Sequence, residues 1–72
     1  MKVLDAIWFT HGLLTIGLVV GKDETTGEIK YYIGKANGFD EKADCNLIIA
    51  SGTKVNADQV RNFLSRHEKE GK

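Results

Sequence analysis

Cysteine is almost absent from this chain. Cys45 stands alone, so no disulfide framework can staple the fold, and a lone reduced thiol fits the cytosol. Histidine occurs only at His11 and His67; with a single cysteine, that argues against a zinc site. No excess of charge exists either. Ten basic residues balance ten acidic ones, so no broad basic field is present to neutralise a phosphate backbone, and general nucleic-acid binding is not expected. Proline is missing, and there are no repeats or low-complexity tracts. No metal is implied, and no cofactor. With 72 residues the chain makes one small domain whose core is marginal, and domains of this size often lean on oligomerisation.

What is present is a strong β signal. Residues 15–22 and 28–35 form two strand-like runs around the polar loop 23–27. Pairing Lys22 with Gly27 would leave a four-residue loop, with Gly27 free to take a positive φ. That register sets Ile16, Leu18 and Val20 on one face with Ile29, Tyr31 and Ile33. A slip by one residue would place Lys30 and Tyr32 beside Leu18 and Val20 instead. The opposite face carries Gly17, Gly21 and Gly34. Glycines are costly in strands and mark close approach by a ligand, a partner chain or the chain's own helix.

Ahead of this hairpin, residues 2–10 read as a first strand. Leu4, Ala6 and Trp8 form one face; Val3, Asp5, Ile7 and Phe9 form the other. Both are largely apolar, so the strand needs cover on both sides, one from a helix and the other, in a chain this short, from another subunit. The apolar run 3–20 invites comparison with a signal peptide or membrane span. Asp5, Thr10, His11 and Thr15 interrupt it, and no small-x-small cleavage site follows, so buried strands explain it better and no membrane association is expected.

The turn 10–14 contains Gly12 and His11, a histidine with no catalytic companion placed beside it by sequence. Residues 34–40 are glycine-containing and precede a helix, yet they lack the phosphate-loop pattern. The acidic first turn at Asp40, Glu41 and Asp44 would repel an anion. This loop reads as a connector with Gly38 in a turn conformation, although Lys35 and Asn37 stand where a ligand at the sheet end could meet them. A helix follows over 41–51, capped by Asp40, with Ala43, Leu47, Ile48 and Ala50 on its apolar stripe, widened by Cys45 and Ile49, and Gly52 as its stop. Residues 53–55 add a short edge strand. Asn56 and Gln59 form a capping box for a second helix over 57–69, whose stripe is Val60, Phe63, Leu64 and His67. The expected fold is α+β: a three-stranded antiparallel meander followed by two helices, with the short edge strand between them.

Three stretches carry a resemblance: Trp8-Phe9-Thr10; TIGLVVGKDETTG at 15–27 with KYYIG at 30–34; and GFDEKAD at 38–44 with GTKV at 52–55. Together they are similar to short sheet-plus-helix proteins of phage and prophage. Some of those resemble anti-defence sponges that sequester nucleotide second messengers of Thoeris or CBASS immunity. The resemblance implies a phage-encoded, homo-oligomeric protein of the host cytoplasm that binds a small nucleotide without turning it over. Such a ligand needs an aromatic surface for its base and donors for its phosphates. Trp8, Tyr32 and Phe39 are the stacking candidates. Lys35, Lys54, Arg61 and Arg66 are the cationic ones, and His11 and Asn37 are polar contacts from the loops. The competing expectation is an interaction module that inhibits or adapts a host protein by direct strand or helix contact. An enzyme built on His11 with Asp40 or Glu41 is disfavoured, because no catalytic motif or metal spacing accompanies them.

Overall fold

The computed structural model describes residues 1–70; for His11 and residues 67–70 it describes the backbone only. The elements run β1 (Lys2–His11), β2 (Leu14–Lys22), β3 (Ile29–Ala36), α1 (Glu41–Ser51), β4 (Thr53–Val55) and α2 (Ala57–Glu70). The four strands form one antiparallel sheet in the order β1-β2-β3-β4. The expected α+β architecture is therefore present, edge strand included.

Turn chemistry fixes the first hairpin. His11 pairs with Leu14, which leaves the two-residue loop Gly12–Leu13. Gly12 has φ 61 and Leu13 does not have a positive φ, the pattern of a type II′ turn, whose twist suits the strands it joins. The second hairpin differs from the sequence reading. Lys22 pairs with Ile29, not Gly27, so the loop spans residues 23–28. The Asp23 carboxylate organises this longer loop. Its Oδ1 accepts from the Thr25 and Thr26 amides at 2.9 and 3.3 Å, while the Asp23 amide donates to the Glu28 carbonyl at 2.9 Å. A shift of two residues preserves side-chain parity, so the same residues share each face as expected. Gly27 and Gly38 have positive φ, 77 and 85.

One face of the sheet carries Gly17, Val19 and Gly21 from β2 beside Gly34, Tyr32 and Lys30 from β3. Helix α1 covers it. Val19, Cys45 and Ile48 form the buried cluster, with Ala6, Trp8, Tyr32 and Ile49 packed around it. Close approach by the protein's own helix is what Gly17 and Gly34 serve, whereas Gly21 makes room for Met1. A Cβ on Gly17 would stand 2.7 Å from Ile48 Cδ1, and one on Gly34 would stand 3.3 Å from Ile48 Cγ1. Burying an aliphatic side chain of this size contributes about 1.5–3 kcal/mol.

The α1 stripe is rotated from the expected one. Asp44, Cys45 and Ile48 are buried, whereas Ala43, Leu47 and Ala50 are exposed. The reason is polar: Asp44 turns inward to serve loop amides, and this carries Cys45 and Ile48 onto the sheet. Gly52 ends the helix, donating to the Ile48 carbonyl at 2.7 Å, with an ordinary φ of −78.

The other face carries Leu18, Ile16 and Val20 with Ile33 and Tyr31. Helix α2 lies there. Phe63 meets Phe9 edge-on, with centroids 5.0 Å apart at 81°. Val60, Phe63 and Leu64 are half-buried as the stripe predicts; the His67 side chain lies outside the described residues. The capping box forms in both directions, Asn56 amide to Gln59 and Gln59 amide to Asn56, each at 2.8 Å. In β1 the pairing shifts between Val3 and Asp5. This bulge leaves Leu4 unpaired and brings Val3 onto the face of Trp8, opposite to the alternation read from sequence.

Candidate functional site

Register gathers one group of candidate residues at one end of the sheet. His11 closes β1 next to the Gly12–Leu13 turn, and Thr15 of β2 pairs with Ala36 of β3. Lys35, one residue before the end of β3, lies at the same end, and Asn37 and Phe39 follow in the connector to α1. Phe39 is 95% exposed, and Leu13 is fully exposed.

This connector is held from beneath. Asp44, 4% exposed, spreads its carboxylate over two backbone amides: Oδ1 accepts from Asn37 and Oδ2 from Gly38, each at 3.0 Å. Asp40 caps the helix, accepting from the Lys42 and Ala43 amides at 3.0 and 3.3 Å. Two hydrogen bonds thus fix a loop whose one aromatic side chain faces solvent, and two more cap the helix that follows it. The sequence reading assigned Asp44 to the helix dipole and missed this clamp. Its signal was an acidic residue six or seven positions after a glycine-bearing loop, within reach of that loop's amides. Leu13 was missed as well, because a turn leucine is unremarkable until its exposure is known.

The remaining candidates are elsewhere. Trp8 and Tyr32 pack against the α1 cluster, and Trp8 Nε1 donates to Glu41 Oε1 at 3.0 Å. Lys54 lies in β4 beside a shallow groove of about 530 Å³ that Lys30, Tyr31 and Asn56 also line. Arg61 is highly exposed and pairs with Asp58 at 3.6 Å. Arg66 lines a different groove, of about 270 Å³, with Ile33, Val55 and Phe63. Lys35 lines a third, of about 310 Å³, with Leu47, Ser51 and Thr53. Within one chain, Arg61 and Arg66 do not converge.

Electrostatics are mild. The backbone bonds from Thr25 and Thr26, helped by Lys30 at 3.4 Å, hold the Asp23 carboxyl below its ordinary value. Burial pushes the Cys45 thiol up, and the Glu41 and Asp44 carboxylates push it further, so the thiol stays protonated and behaves as a core residue. Among the described residues no three His, Cys, Asp or Glu side chains come together as a metal site, and no helix is long and apolar enough to cross a membrane. Every buried side-chain polar atom among them has a hydrogen-bond partner. No family model matches the chain, no curated protein matches it in sequence, and no solved structure matches it in fold.

Proposed function

We propose that the chain is a non-enzymatic, homo-oligomeric binding protein that sequesters a small nucleotide at the exposed end of its sheet. One observation carries this reading. Phe39 is presented to solvent by a loop whose backbone Asp44 holds and whose helix Asp40 caps, so its ring is open to stacking on a base from a fixed backbone. Lys35 and Asn37 share that end, giving one cation and one hydrogen-bonding side chain for phosphate and sugar, and the backbone of His11 ends β1 there. The acidic first turn of α1 points the phosphates away from the helix and toward Lys35. The phage-protein resemblance supplies the ligand class, a nucleotide second messenger of host immunity.

A second reading has its own support. Leu13 and Phe39 are fully or nearly fully exposed at one end, and Arg61 and Arg66 are dispersed, which suits an apolar contact with a host protein.

A thermal-shift screen against cyclic and linear nucleotides, cyclic ADP-ribose isomers included, separates the two. Sequestration requires a marked rise in melting temperature with one compound, recovery of that compound unchanged, and loss of the rise in Phe39→Ala and Lys35→Glu, both of which keep the far-UV spectrum. No shift across the panel, together with site-specific photocrosslinking from position 39 to one host protein, overturns sequestration in favour of protein contact. Conversion of the compound overturns the non-enzymatic assignment.

A further inference from the structure

Strand β1 is an outer strand of the sheet, and its two halves are treated differently. In antiparallel pairing, bonded and non-bonded pairs alternate. The two-residue turn makes His11 and Leu14 a bonded pair, so Phe9 with Ile16 and Ile7 with Leu18 are bonded too. The peptide groups of Ala6, Trp8 and Thr10 then point away from β2, toward the open edge. The Ala6 amide confirms the assignment, because it donates to Asp5 Oδ1 at 2.8 Å and not to a strand. The bulge at Leu4, the Asp5 carboxylate and Lys2 close the first half of the edge to pairing, as native edge strands commonly do. Residues 7–11 carry no such device. On the opposite side the outer strand β4 is three residues long and pairs with Tyr31 to Ile33 of β3.

The open half is flanked by exposed apolar side chains: Ile7 at 38%, Leu4 at 47% and Leu13 at 108%.

We infer that the free edge of β1 is a dimer interface, in which two copies pair antiparallel about a two-fold axis at Phe9. This register is selected by chemistry. Trp8 faces the partner's Thr10 and Thr10 faces the partner's Trp8, so the four outward amides and carbonyls that are free bond to one another. Centring on Trp8 instead would require the Ala6 amide and would break its bond to Asp5. With the axis at Phe9, Ile7 lies opposite the partner's His11, and the Gly12–Leu13 turn runs along the partner's bulge, where Leu4 is exposed. The two sheets become one of eight strands, and the apolar flank is covered by its own copy. The interface specifies the homo-oligomer of the proposed function and rests on that part of it alone; nucleotide binding is read separately by the thermal-shift screen, since the interface uses the side of the sheet and leaves Phe39 and Lys35 at its end.

Sedimentation equilibrium on the whole chain tests this, together with isotope-filtered NMR on a mixture of labelled and unlabelled protein. The expected mass is twice the 8.0 kDa of the chain. An intermolecular Hα–Hα contact is expected at Phe9, a non-bonded pair on the axis whose Cα atoms would lie about 4.5 Å apart. Thr10→Pro removes an amide that the chain's own sheet does not use, so it should give a monomer with an unchanged far-UV spectrum. Should that variant unfold, the Phe9 contact in the native protein decides. A wild-type monomer at concentrations up to about 1 mM overturns the inference, as does a dimer without the Phe9 contact.

Discussion

The indole of Trp8 lies over the bare backbone of Gly17, in space that any side chain there would claim. A Cβ at this position would overlap Trp8 Cζ3 and stand 2.7 Å from Ile48 Cδ1. Gly17→Ala is therefore expected to lower stability by about 1–3 kcal/mol, the usual cost of overpacking a closed site. Gly34→Ala should cost less, because its nearest neighbours lie at 3.3 Å. Urea denaturation of both variants checks the order. An unchanged midpoint for Gly17→Ala would mean that Trp8 and Ile48 swing aside freely, and that the glycine is not needed for the fit.

Asp44 links helix α1 to the loop that displays Phe39. Asp44→Ala would remove the acceptor of two amides in a part-buried setting, at an expected cost of about 1–3 kcal/mol. Asp44→Asn keeps one acceptor oxygen and should fall between the two. Hydrogen exchange at the Asn37 and Gly38 amides gives the local readout. Both should exchange faster in the alanine variant, while the amides of β2 stay protected. Uniform acceleration throughout the sheet would instead make Asp44 a global core residue.

Asp23 gives the long hairpin a dependence on acid. Its carboxyl is held below the ordinary value of 3.8, chiefly by the Thr25 and Thr26 amides. Its contribution to stability is complete above that value and is lost as the pH falls through the lowered one. An NMR titration should find the Asp23 carboxyl titrating below 3.8, and Asp23→Asn should flatten the corresponding part of the stability profile. A midpoint at or above the ordinary value would show that the loop bonds are not maintained in solution.

Much of the fold was legible because each signal was local. Alternation marked the strands, Asp40 and the Asn56/Gln59 pair marked the helix starts, and the glycines on one face marked close approach without telling a helix from a ligand or a partner; Gly17 and Gly34 meet the helix. The hairpin register was not legible, because Asp23 stabilises a longer loop and parity alone cannot tell registers two residues apart. The rotation of α1 escaped for a similar reason. An aspartate in a first turn reads as a solvent-facing complement to the helix dipole, and only the position of the Asn37 and Gly38 amides turns it inward. Of the candidate site, residue types could be chosen but not assembled. Trp8 and Tyr32 are as suitable for stacking as Phe39 by type, and what separates them is that the first two pack against the α1 cluster while Phe39 is exposed.

Trp8 is the one tryptophan of the chain. Half-buried under α1 and bonded through Nε1 to Glu41, it sits at the joint between the first strand and the first helix. The meander can form from neighbouring strands without closing that joint. Intrinsic fluorescence is thus a private reporter of helix docking, whereas circular dichroism near 220 nm reports the backbone as a whole. A lag between the two signals during refolding would time the arrival of the helix on a sheet that is already paired.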